Sequence, residues 1–217
     1  MIRIPQVLPV ARVPLLRPEG THLSAREWST VPALPPFVLA DGGRSARQQT
    51  TARLCHDGAA LHVRFDCEDR DIWGTLTRRD DPLYDEEAVE VFLAPGEEDP
   101  VRYFELEASP LGALFDARIE NPSSRREDMR VDARWNCPGI AWRAEADPAS
   151  RRWWAEIIVP WSSLSTETTP PSVWRANLCR IERPRGEEPE FSCWSPTLTD
   201  PADFHKPAYF GFLDLSR

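Results

Sequence analysis

Lysine is almost missing from this chain of 217 residues: Lys206 is the only one, and arginine carries the rest of the basic charge. Such a skew reads first as a compositional bias of the coding genome; a need for bidentate contacts is the alternative. Net positive charge is also missing. A formal charge of −9 at pH 7 argues against nucleic acid and anionic membrane surfaces as partners. The five cysteines, Cys55, Cys67, Cys137, Cys179 and Cys193, are odd in number and contain no CxxC pair. That spacing excludes the usual zinc and disulfide frameworks and leaves free thiols of a reducing compartment as the expectation. No apolar run reaches membrane-spanning length. The start, "MIRIPQVLPVARVPLL", has its apolar pieces broken by Arg and Pro, unlike a signal peptide. Cytoplasmic residence is therefore expected, or an extracellular one if a leader has been removed.

Helical periodicity is scarce as well. Ser24-x-x-Glu27 is a capping-box spacing for one short helix, and "PWSSL" from Pro160 to Leu164 allows a single turn. What fills the chain is alternation with period two. "TARLCHDGAALHVRFDCED" reads as a hairpin turning at Asp57-Gly58, and "AWRAEADPASRRWWAEIIVP" as another across Asp147-Pro148. "AVEVFLAP", "RYFELEASPLGALFDARI", "VWRANLCRIE" and "AYFGFLDL" supply further strands. Most of the 22 prolines fall in connections, where they do not interrupt ladders. These features predict an all-β protein, an antiparallel β-sandwich with very little helix, forming one domain over residues 1–217 with 1–45 as an N-terminal extension packed on it.

One stretch conflicts with simple packing. "RRDDPLYDEEAVEVFLAP" runs through an acidic loop and then places Glu90 in mid-strand. Parity resolves this. With Val89, Val91 and Leu93 toward the core, Glu90 faces the other side, and the same rule sends Tyr103, Glu105 and Glu107 outward. In "VWRANLCRIE", Trp174, Ala176 and Leu178 point in while Arg175, Asn177 and Cys179 point out. If the three strands are neighbours, one outer face gathers Glu90, Glu105, Glu107 and Asn177. A solvated acidic face is the plain reading; a binding site is the sharper one.

Several segments together resemble carbohydrate-binding module family 9 and its freestanding relatives: "TARLCHDGAALHVRFDCED", "DPLYDEEAVEVFL", "YFELEASPLG", "WAEIIVPWSSL", "RANLCRIE" and "FHKPAYFGFL". They follow the expected order from about Thr50 to Leu213, and the acidic loop entering "VEVF" and the ending "FHKPAYFG" are the strongest signals. The resemblance implies a jelly-roll-like sandwich that binds a saccharide or saccharide-like ligand without catalysis. It puts Tyr84 and Phe204 where sugar-binding members carry two sandwiching tryptophans, and Glu90 where a strand glutamate bonds sugar hydroxyls. Glu105 and Glu107 stand where an arginine and an asparagine are usual, so two carboxylates replace a cation and an amide. Ionised, they accept hydrogen bonds but donate none. The expected ligand set is Tyr84, Glu90, Glu105, Glu107, Asn177, Arg180, Phe204 and His205, with Arg180 bonding ligand or neutralising nearby glutamates.

No organic cofactor is expected. Calcium is the candidate ion, because family members carry structural calcium and "DCEDRD" (Asp66, Glu68, Asp69, Asp71) and "RDDPLYDEE" offer oxygen ligands. Two other function classes remain open. Paired glutamates suit a glycosidase, since Glu105 and Glu107 on one strand place their side chains roughly 7 Å apart. A protein-interaction module that kept the sandwich and lost the sugar is the other. Trp73 and Trp194, in loop contexts, would serve as a carbohydrate platform if exposed and as packing if buried; Trp153, Trp154, Trp161 and Trp174 read as core or strand-end packing. Composition says nothing of oligomeric state.

Overall fold

The computed structural model describes residues 10–12, 22–165 and 171–216. Two sheets face each other. The smaller is four-stranded, in the order β3 (Thr50–His56), β4 (Ala60–Glu68), β10 (Arg152–Pro160) and β9 (Ala141–Asp147). The larger is nine-stranded. Its main path runs β1 (Val10–Arg12), β13 (Gly211–Asp214), β11 (Val173–Glu182), β5 (Ala88–Pro95), β6 (Arg102–Ala108), β7 (Leu114–Glu120) and β8 (Arg130–Asp132). Two short strands, β12 (Glu190–Cys193) and β2 (Val38–Leu39), branch from β11. All pairs are antiparallel except β1 with β13. Among the described residues, helix is confined to two four-residue turns, α1 (Ala25–Trp28) and α2 (Trp161–Leu164), and three 3-10 turns. The fold is thus the antiparallel sandwich that alternation predicts, and Ser24 and Glu27 form the expected capping box.

Between the sheets lies a core built by the inward set of each strand. Val89, Val91 and Leu93 of β5 meet Leu61, Val63 and Phe65 of β4, and Trp153, Ile157, Trp174 and Leu178 fill between them. Trp161 and Trp174 pack with ring centroids 4.8 Å apart. Truncating a Trp this buried costs about 3–5 kcal/mol. From the amino-terminal region, Trp28, Val31 and Phe37 enter this core; residues 1–9 and 13–21 lie outside the described set.

A second apolar cluster sits on the far side of the large sheet. Phe92, Tyr103, Phe115, Ala117, Cys179 and Ile181 project outward from their strands and are covered by Leu83, Phe204 and Phe210 from loops. The outer face is therefore not a solvated one. Connections over 73–87, 121–129 and 194–210 close over it, so the outward parity positions are buried twice, by the sheet beneath and by loops above. This arrangement explains why Glu90, Glu105 and Glu107 are all buried.

Candidate functional site

Strand neighbours and register bring the three glutamates together. β11, β5 and β6 are adjacent. Glu90 pairs directly with Glu107 on β6 and with Cys179 on β11, and Glu105 lies opposite Phe92. Above them opens a cleft of about 450 Å³. Glu90 and Glu105 form its floor. Tyr84 and Phe204 line it from the loops, with Phe115, Phe191 and Met129 completing the apolar walls.

Each wall has a local cause. The 3-10 turn Leu83–Asp85 buries Leu83 and so turns Tyr84 outward. Tyr84 keeps 44% of its surface exposed and meets Phe115 edge-on, with centroids 5.6 Å apart. Phe204, nearly covered, packs edge-on to Phe191 at 6.1 Å. The loop that carries Phe204 is fixed by His205. Its backbone N–H donates to Asp203 Oδ1 (3.1 Å) and its carbonyl accepts from Asn121 Nδ2 (3.2 Å). The ring itself bonds Tyr103 Oη through Nδ1 at 2.9 Å, and Nε2 faces Glu105 Oε1 at 3.5 Å. Asn121 also donates to Tyr103 Oη, and the Tyr103 hydroxyl reaches Met129 Sδ at 3.9 Å as well as His205 Nδ1.

Two cations unmarked by the sequence line the same cleft. Arg126, on the 3-10 turn Arg126–Asp128, bonds Asp203 Oδ1 at 3.1 Å. Arg183, just beyond β11, donates to the Tyr84 carbonyl (3.3 Å) and lies over Phe191 at 5.3 Å. Its Nε is buried without a hydrogen bond. Both arginines come from loop segments with no periodicity, and only the folded chain sets them over the glutamates.

Burial governs the charge state of the floor. It pushes the Glu105 carboxyl up to about 8 against the pull of Arg126. Burial also pushes Glu90 well above the usual carboxylate range; Glu105 adds to this, and Arg126 and Arg183 oppose it. Glu107 is raised by burial first and then by Glu90, Glu105 and Asp85, with the Tyr84 backbone N–H opposing weakly. Neither Glu107 oxygen makes a hydrogen bond of normal geometry. Burial likewise lowers His205 to about 3, with Arg126 adding to it. At neutral pH the floor is therefore rich in protonated carboxyls, which donate as well as accept. Protonation lifts the shortage of donors that fully ionised glutamates would impose.

Three expectations need correction. Arg180 is not at this cleft. It follows Leu178 by two residues, so strand parity sends it to the inner face, where it pairs with Asp69 (3.1 Å) and Glu182. Asn177 shares the outer face but does not line the cleft. Its amide donates to the Ser195 carbonyl (2.8 Å) and its oxygen accepts from the Ser195 and Leu178 N–H groups, both at 3.0 Å. Glu107 lies beneath the cleft rather than along it. Nor do the loop tryptophans form a platform: Trp194 is buried, and Trp73 is half-buried with its indole N–H on the Arg183 carbonyl.

The two-sheet sandwich thus carries an aromatic-walled cleft on the outer face of its larger sheet. A family model described as carbohydrate-binding family 9 matches residues 44–215, and the chain belongs to that family. Solved structures share the fold. A proposed carbohydrate-binding protein from Bacteroides uniformis is 16% identical with a TM-score of 0.75, covering 95% of this chain and 99% of that one. A family 9 module from Caldicellulosiruptor kristjanssonii in complex with glucose is 13% identical with a TM-score of 0.64, over 96% of both chains. The same organism's module with cellotriose gives 13% and 0.65, over 95% of this chain and 93% of that one. An "Extracellular protein" of Arthroderma benhamiae is 26% identical over 188 residues, 83% of this chain and 80% of that protein.

Proposed function

We propose that this protein binds a glucose-type saccharide in the cleft between Tyr84 and Phe204, and does so without turnover. The observation that carries the reading is the convergence, on one cleft, of two aromatic side chains, two buried carboxyls and two arginines. A pyranose presents apolar C–H faces and a rim of hydroxyls. Aromatic faces serve the first, and paired donors and acceptors serve the second. Glu90 and Glu105 offer both roles when protonated, and Arg126 and Arg183 supply fixed donors above them. The glucose and cellotriose complexes of family 9 modules support this ligand class.

The test is calorimetric titration with glucose, cellobiose and cellotriose on wild-type protein and on Tyr84→Ala. Because Tyr84 is partly exposed, its loss should leave the melting temperature nearly unchanged. Affinity should fall by roughly 5- to 30-fold, the worth of about 1–2 kcal/mol of lost stacking contact. Equal affinity in the variant refutes the cleft, and absence of binding across a wider glycan panel refutes the class. Hydrolysis of aryl glycosides that Glu105→Gln abolishes would replace binding with catalysis.

A further inference from the structure

The two acidic loops that suggested calcium do converge, but on the inner face of the large sheet, behind the cleft. Carboxylate oxygens of Asp69, Glu87 and Glu182 lie within 4.8 Å of one another, and all three residues are buried. Among the described residues this is the one group of three acidic, His or Cys ligand atoms so close. A calcium ion bonded to oxygens at about 2.4 Å spans about 4.8 Å between opposed ligands. The spacing is that of a cation-sized site.

A cation already stands there. Arg180, with no exposed surface, extends its guanidinium between Asp69 Oδ2 (3.1 Å) and Glu182 Oε2. Its other terminal nitrogen donates to the Glu68 carbonyl at 2.6 Å. The carboxylates are occupied on their remaining sides too. Asp69 accepts from Trp153 Nε1 (3.0 Å) and the Asp71 N–H (2.9 Å), and Glu182 accepts from Gln48. A metal would have to displace the guanidinium and break these bonds, so the residues present do not fit one. Glu87 is the exception. It is 1% exposed, its Oε1 has no hydrogen bond, and it shares the space into which Asp69 and Glu182 project. Burial, with Glu182 and Asp69 nearby, raises its carboxyl to about 9.

We infer that Arg180 is a built-in replacement for a divalent cation: it fills a three-carboxylate site, makes the fold independent of metal, and leaves a latent calcium site if its side chain is removed. The location gives the device a purpose. Glu87 lies three residues after Tyr84 and accepts from the Trp73 N–H at 3.4 Å. Glu182 immediately precedes Arg183, whose carbonyl holds the Trp73 indole. Tying Asp69 to Glu182 from behind therefore braces the segment that brings Arg183 to the cleft. Arg180 is a positioning residue, out of reach of any ligand there.

Thermal unfolding and terbium luminescence test this without any saccharide. The wild-type melting temperature should agree within about 1 °C in EDTA and in millimolar calcium chloride; a rise in calcium overturns the inference. Arg180→Ala should melt lower and recover by about 5–10 °C with calcium at a hundredfold excess over its dissociation constant. Terbium, a calcium surrogate, should bind this variant alone and emit on excitation of the adjacent Trp153, and Glu87→Gln added to Arg180→Ala should abolish the signal. Arg180→Lys, which keeps a cation, should remain insensitive to calcium. If Arg180→Ala responds to neither ion, if it fails to refold even in calcium, or if the lysine variant responds like the alanine one, the inference falls.

Discussion

Glu90 on β5 and Glu107 on β6 stand directly opposite each other across the ladder, both buried on the cleft side of the sheet. Two ionised carboxylates so placed would repel in a medium that screens poorly. The pair is tolerated because burial and mutual proximity hold protons on it. Its titration belongs to the pair rather than to either residue.

Stability should therefore decline as the solution becomes alkaline. Glu105 is raised from 4.5 to about 8, so between those values the folded state holds a proton that the unfolded chain has released. The stabilisation is complete below pH 4.5 and is lost as pH rises through 8. Glu90 and Glu107 act with the same sign. His205, lowered from 6.5 to about 3, acts oppositely, losing stability as pH falls below 6.5. Several raised carboxyls outweigh one depressed imidazole, so the melting temperature should peak near about pH 5 and fall toward pH 9. Glu105→Gln should flatten that slope. A profile level between pH 5 and 9 would sink the protonated floor.

The overhanging arginines should matter to binding more than to folding. Arg183 has a buried Nε without a partner, and Arg126 keeps most of its side chain exposed. Replacing either by Ala should weaken cellobiose binding roughly 10- to 100-fold, the range of one lost charge-assisted hydrogen bond. The melting temperature should shift little. Calorimetry beside thermal unfolding reads both, and an unchanged affinity in both variants would remove the arginines from the site.

Asn177 should behave in the reverse way. Its side chain bridges to Ser195 in both directions. Asn177→Ala leaves those buried backbone groups unsatisfied, at a cost of about 1–3 kcal/mol. Chemical denaturation should show that loss, while saccharide affinity in the folded variant stays within about twofold. A variant of full stability that no longer binds would return Asn177 to the ligand set.

The imidazole of His205 should stay neutral throughout the physiological range. Nitrogen-15 chemical shifts should report a neutral ring at neutral pH, with protonation only as the pH falls toward about 3. A titration midpoint near the ordinary histidine value would contradict the burial seen here. Tyr103→Phe breaks the Asn121–Tyr103–His205 chain and should cost about 1–2 kcal/mol.

Much of the sandwich was legible in the sequence because side-chain alternation is a local property. Val89, Val91 and Leu93 declare one face of β5, and Glu90 follows to the other without knowledge of any partner strand. The same parity, extended two residues past Leu178, already sends Arg180 inward and away from the cleft. Turn chemistry at Asp57-Gly58 and the capping box at Ser24 and Glu27 were equally local. What tertiary structure alone decided was the fate of the outer face. Whether it meets water or a second apolar layer depends on where 73–87, 121–129 and 194–210 close. Loop closure is set by contacts distant in sequence, such as Leu83, Phe204 and Phe210 on one cluster. Loop 121–129 and the segment after β11 brought Arg126 and Arg183 over the glutamates, and closure of the outer face buried the carboxyls deeply enough to keep their protons. Tertiary structure also brought Asp69, after β4, and Glu87, before β5, from separate acidic stretches to the surroundings of Arg180. A sequence lists its charges; burial by distant segments determines which of them remain charged and what they face.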